Sequence, residues 1–147
     1  MTRVFVDTSA LLALLDRADP RHAAVRDAFA GLRDAELLTH GYVVAESLAV
    51  ARRRFGVGGA IALLDDILPV VEIVEVEPAL HRRVQTQYRD SLPSGISFVD
   101  RVSFAVIERD TLDAALATDA DFQTAGVQLI PAPADATPEP SSSRDQG

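Results

Sequence analysis

Arg3-Val4-Phe5-Val6-Asp7-Thr8-Ser9-Ala10-Leu11-Leu12-Ala13-Leu14-Leu15 is the stretch from which the fold class is read. Residues 3–6 are a short apolar run rich in strand-forming side chains and match a buried strand. From Ser9 to Leu15, leucines 11, 12, 14 and 15 fall on and beside one face at helical spacing. The joint between strand and helix is a carboxylate, Asp7. The same alternation continues along the chain. A helix is expected over 20–33, with Pro20 in its first turn and Ala24, Phe29 and Leu32 inward, then a strand over 36–39. Val44, Leu48, Ala51 and Phe55 mark a third helix from Gly41, ended by Gly56-Val57-Gly58-Gly59 before a short helix over 60–68. A strand over 71–76, a helix over 78–90, a loop at 92–97 and a helix over 98–108 follow. A strand over 114–117, a helical turn at 119–124 and a strand over 127–130 complete the series. Short strands alternating with helices predict an α/β fold: a mostly parallel sheet with helices on both faces. Such sheets bind ligands beyond the carboxyl ends of their strands.

The chain of 147 residues is the length of one domain, and 48% apolar residues suffice for a core. The expected boundary is a domain over 1–131 and a Pro- and Ser-rich tail over 132–147, too polar to offset its ordering entropy and read as disordered. No charged leader and no apolar run of membrane-spanning length is visible, which predicts a cytoplasmic protein. The chain contains no cysteine, so thiolate metal sites, disulfides and cysteine nucleophiles are excluded, and a metal would need oxygen or imidazole ligands. All 14 basic residues are arginine, which removes lysine-dependent mechanisms. A net charge of −8 argues against holding nucleic acid by bulk electrostatics. Part of that charge sits on the tail, and two divalent ions among the body's carboxylates would offset much of the rest.

Four carboxylates stand out. Asp7 and Asp119 each follow a strand and precede a helix, where an aspartate is ordinarily an N-cap worth roughly 1 kcal/mol. Glu46 has Val43 and Val50 as its helical neighbours, and Asp100 shares a face with Phe104 and Ile107. Arg101 is adjacent to Asp100 and cannot face it. Asp121 lies two residues beyond Asp119. No set of basic partners is visible for these acids. If they converge, each pair about 4 Å apart repels by about 4 kcal/mol at an effective dielectric near 20, so a cation must sit between them. Mg²⁺ or Mn²⁺, as one or two ions, fits an all-oxygen site and can drive phosphodiester hydrolysis.

Val4-Phe5-Val6-Asp7-Thr8-Ser9-Ala10, the isolated Glu46, Phe98-Val99-Asp100 and Ala117-Thr118-Asp119-Ala120-Asp121-Phe122 together resemble the PIN-domain nucleases. The length and element order are most similar to the VapC ribonuclease toxins of type II toxin-antitoxin modules. The resemblance covers residues 3 to about 130. It implies a three-layer α/β/α fold, Mg²⁺- or Mn²⁺-dependent endoribonuclease activity, a homodimer, and a cognate antitoxin whose tail lies in the active-site groove. It implies Asp7, Glu46, Asp100 and Asp119 as the catalytic and metal-binding quartet, with Thr8, Ser9, Thr118 and Asp121 around it. One departure is that the hydroxyl residue usual two positions before the last aspartate is here Ala117, with Thr118 displaced by one.

Other signals carry less. The Gly56–59 cluster follows a helix and lacks the Lys-Ser/Thr of a phosphate loop. His22, His40 and His81 have no metal-ligand spacing. Arg52, Arg53 and Arg54 suit a solvated helix end, or else contact RNA phosphates. Two rival functions are a PIN-like module that binds RNA or protein without catalysis, and a phosphatase-like hydrolase with Asp7 as nucleophile. The latter is undercut by Ser9 where a second aspartate is usual, and by the absence of lysine.

Overall fold

The computed structural model describes residues 1–133 and contains a five-stranded sheet in which every pairing is parallel. Strands β1 (Arg3–Val6), β2 (Glu36–His40), β3 (Glu72–Val74), β4 (Ala114–Leu116) and β5 (Leu129–Ile130) lie in the order β3-β2-β1-β4-β5. Val4, Phe5 and Val6 are wholly buried on both faces, as expected of a central parallel strand. Between strands run α1 (Thr8–Leu15), α2 (His22–Gly31), α3 (Gly41–Ala62), α4 (Pro78–Asp90), α5 (Phe98–Asp110) and the short α6 (Ala120–Thr124). Helix α1 packs on α2 and α3, whereas α4 packs on α5, completing the layered architecture expected from the alternation.

The strand order fixes where a ligand site can form. The chain steps outward from β1 to β2 and β3, then returns to place β4 on the other side of β1. The crevice of such a sheet opens where the order reverses, beyond the carboxyl ends of β1 and β4. Asp7 directly follows β1, and Asp119 lies three residues past β4.

Several local expectations are corrected. Helix α2 starts at His22, not at Pro20, and its wholly buried residue is Val25, with Ala24 exposed. The glycine break is confined to Gly56, whose φ of 74° interrupts α3, after which the helix resumes to Ala62. Gly59 is needed there because a Cβ would collide with Phe55. A π-helical turn over Leu63–Ile67 and a 3-10 turn over Leu68–Val70 replace the second half of the short helix expected over 60–68. Strands β3 and β5 are shorter than the apolar runs that suggested them, and β3 is an edge with Glu72 and Ile73 exposed. The tail expected over 132–147 lies, from residue 134 on, outside the described residues.

Candidate active site

Beyond the carboxyl ends of β1 and β4 is a cleft of about 420 Å³. Asp7, Glu46, Asp100, Asp119 and Asp121 all line it, together with Thr8 and Ser9. The five acids come from four separate places in the chain. Among the described residues no arginine or histidine reaches ion-pairing distance of any of them.

Asp7 does act as the N-cap of α1, but with one oxygen only. Its Oδ2 accepts from the Ser9 N–H at 3.1 Å and from the Ser9 hydroxyl at 2.6 Å. Its Oδ1 is buried without any hydrogen-bond partner. A buried, unsatisfied carboxylate oxygen is costly unless something fills its lone pairs. Burial, partly countered by the Ser9 bonds and reinforced by Asp119, pushes the Asp7 carboxyl up to about 6.

Asp100 enters from the first turn of α5. Ser97 is the N-cap of that helix, its hydroxyl accepting the Asp100 N–H at 3.0 Å, which fixes the turn from which the carboxylate projects. Asp100 is 8% exposed. Burial, and after it the charges of Asp7 and Asp119, push its carboxyl up to about 7. Asp119 caps α6, its Oδ1 accepting the Asp121 N–H at 2.9 Å. One carboxylate oxygen each from Asp100, Asp119 and Asp121 lies within 4.8 Å of the others. Asp121, placed by the sequence in the surroundings, is thus as much a part of this trio as Asp119. Asp7 and the half-buried Glu46 line the same cleft without belonging to it.

The arrangement fits a divalent cation. The donors are all hard oxygen, three carboxylates converge with no counter-charge among the described residues, and Asp7, whose Oδ1 is buried and unpartnered, lines the same cleft. Asp7, Asp100, Asp119 and Asp121 are therefore the groups that could hold one.

At Ala117, where the resemblance leads one to expect a hydroxyl, there is none, and the hydroxyl that reaches this segment is that of Ser9. Ser9 Oγ accepts the Thr118 N–H at 3.0 Å while donating to Asp7, so one hydroxyl ties the end of β1 to the segment leaving β4. Thr118 joins through its backbone and is not part of the cleft lining. Thr8 accepts from Ser47 at 3.3 Å, linking α1 to the turn of α3 that carries Glu46.

His40, dismissed from the sequence as scattered, is a buried structural residue. Its Nδ1 caps α3 by accepting the Val43 N–H, and its Nε2 lies 2.9 Å from the Ser103 hydroxyl, which in turn donates to the Val99 carbonyl. Burial and the positive charge of Arg109 lower its pKa to about 4, so the ring is neutral and locks the starts of α3 and α5 together. Gly95 and Ser97 also line the cleft and were not singled out from the sequence. Ser-x-x-Asp at 97–100 was the available signal. Arg52, Arg53 and Arg54 are exposed and do not line it. Arg54 instead pairs with Asp16 at 3.6 Å and lies over the Phe55 ring.

Comparison with known proteins places the chain in a family by sequence and by fold. The chain is 33% identical over 129 residues to the 23S rRNA-specific endonuclease VapC20 of Mycobacterium tuberculosis, covering 84% of this chain and 94% of that protein. Ribonuclease VapC26 of the same species is 38% identical over 93 residues, 59% of this chain and 67% of VapC26. The crystal structure of VapC20, a sarcin-ricin loop cleaving toxin, superposes with a TM-score of 0.76 at 30% identity, covering 84% of this chain and 95% of VapC20. VapBC2 from Rickettsia felis shares the fold at a TM-score of 0.65 and 12% identity, covering 87% of this chain and 97% of the matched one. The PIN domain model spans residues 4–127, from the strand that delivers Asp7 to beyond the turn that holds Asp119 and Asp121. With the family model, the relatives and the superposed sheet in agreement, the chain belongs to the PIN domain family.

Proposed function

We propose that the chain is a Mg²⁺- or Mn²⁺-dependent endoribonuclease that hydrolyses RNA phosphodiester bonds as the toxin of a toxin–antitoxin pair. The observation that carries this reading is the cleft in which one buried and two half-buried carboxylates meet with no basic partner among the described residues, and one oxygen of Asp7 is left unsatisfied. Similarity to an rRNA endonuclease and to a second ribonuclease supports RNA as the substrate.

In this reading Asp100, Asp119 and Asp121, with Asp7 beside them in the cleft, would hold the cation. A bound divalent cation supplies the positive charge and Lewis acidity that phosphodiester hydrolysis needs. Ser9 holds Asp7 through Oδ2, and Oδ1 is left without a hydrogen bond among the described residues, available to a cation. Glu46 stands on the α3 wall outside the trio, from which it can accept a proton from the attacking water or extend the ligand set. Asp100, held near neutrality, can keep a proton until the site is charged by a cation.

The proposed partner is an antitoxin that places a basic side chain into this acidic cleft, where a guanidinium would meet carboxylates that have none of their own. A homodimer belongs to the same reading. Among the described residues no helix is long and apolar enough to cross a membrane. The test is incubation of the purified chain with structured RNA in Mg²⁺ or Mn²⁺. Cleavage is expected to stop on chelation and in Asp100→Asn. Cleavage that survives both overturns the proposal.

A further inference from the structure

A chain of net charge −8 that acts on RNA must turn some basic surface toward the polyanion, and Arg52, Arg53 and Arg54 do not line the cleft. A second concavity, of about 740 Å³, lies between α4, α5 and the end of α6. Its walls include Arg83 from α4, Arg101 and Phe104 from α5, and Ala125 just past α6. The groove and the carboxylate cleft draw their linings from the same elements. Arg101 follows Asp100 on α5, and Ala125 ends the helix that begins at Asp119. One turn supplies Ser91 to the groove and Gly95 and Ser97 to the cleft.

Arg101 is the telling residue. A half-buried arginine normally has a carboxylate partner. Here Nε is buried with no hydrogen-bond partner, and a terminal nitrogen is steadied by Ser94 Oγ at 3.2 Å. No carboxylate among the described residues is within ion-pairing distance of Arg101 or of Arg83. Asp90 and Glu108 line the groove as exposed residues and pair with neither arginine. The result is two guanidiniums on facing helices that form no ion pair among the described residues although Asp90 and Glu108 share the groove, with the half-buried Phe104 offering an apolar wall for a base or sugar.

We propose that this groove is the RNA-backbone site, in which Arg101 and Arg83 each bind a phosphate of the strand leading away from the carboxylate cleft. The proposal rests on the ribonuclease reading above. Guanidinium suits the role because it meets phosphate through paired N–H donors.

The test is fluorescence anisotropy of a labelled single-stranded RNA, titrated in Mg²⁺ over a series of salt concentrations with the chain carrying Asp7→Asn to suppress cleavage. Adding Arg83→Gln or Arg101→Gln is expected to weaken binding several-fold at low salt. Each is expected to flatten the slope of log affinity against log salt by about 0.7, one phosphate contact. Arg101→Lys should restore the slope and part of the affinity. In the cleaving background the arginine variants should raise KM and leave kcat and Mn²⁺ affinity unchanged. Arg101 neighbours Asp100, so Arg83, on a helix that carries none of the carboxylates, is the decisive position: an unchanged salt slope in Arg83→Gln overturns the proposal. If the unsubstituted chain cleaves RNA and both arginine variants match it, the groove assignment alone falls. If the unsubstituted chain neither binds nor cleaves RNA, the ribonuclease reading falls and takes this proposal with it.

Discussion

Asp7→Asn should stabilise the metal-free protein while removing its activity. The side chain already uses Oδ2 as a cap acceptor, a role the Asn carbonyl oxygen can keep. The new amide group then occupies the place of the unsatisfied Oδ1, where it offers donors to neighbouring acids. The gain follows from linkage. A carboxyl at about 6 in the folded chain against 3.8 in the unfolded chain penalises folding once the unfolded form ionises. The sign is that metal-free stability is retained below pH 3.8, falls as pH rises to about 6, and stays low above it. The shift corresponds to about 3 kcal/mol at pH 8 and about 1 kcal/mol at pH 4.5. With roughly 2–4 °C per kcal/mol for a chain approaching this length, Asp7→Asn should melt about 6–12 °C above wild type at pH 8 in EDTA. At pH 4.5 the gain should shrink to a few degrees. Thermal melts of both proteins in EDTA at the two pH values measure it. Destabilisation at pH 8, or an equal gain at both pH values, would refute the reasoning.

Ser9→Ala removes the hydroxyl that joins Asp7 to Thr118, and should cost about 1–2 kcal/mol in a denaturant titration together with a clear loss of activity. An unchanged kcat would remove Ser9 from the positioning role. Asp119→Asn and Asp121→Asn should both weaken Mn²⁺ binding, with Asp119→Asn the more damaging to cleavage at equal folded fraction. A larger loss at Asp121 would reverse that order. Truncation after Ala132 should leave melting temperature and activity near wild type, given the polar composition beyond it, and a drop of several degrees would show that the removed residues contribute.

The parallel sheet was legible because Val4-Phe5-Val6 and Ala114-Ala115-Leu116 are continuous apolar runs, each followed within three residues by an aspartate at the carboxyl edge. Periodicity also marked Glu46 and Asp100 as acids on apolar faces, and both line the cleft. Pairwise geometry was not legible. Whether Asp119 or Asp121 meets Asp100 depends on the pitch of a single short turn, and the structure brings both carboxylates close. The double use of Ser9 depends on the distance between β1 and β4, a contact separated by more than a hundred residues. His40 had no spacing signal because its partners, Val43 and Ser103, act through one local amide and one distant hydroxyl. The extent of the glycine break was overestimated because composition marks where a helix can yield, while backbone φ decides that only Gly56 does.

The central claim is that these carboxylates gather to hold a divalent cation, and the most direct test is calorimetric titration of Mn²⁺ into the metal-free chain at pH 7 in two buffers of different ionisation enthalpy. With Asp100 at about 7 and Asp7 at about 6, the site should release roughly half a proton as the metal enters, and Asp100→Asn should abolish both the binding and the release. Mn²⁺ binding that persists in Asp100→Asn, or no saturable binding to the wild-type chain, would contradict the account.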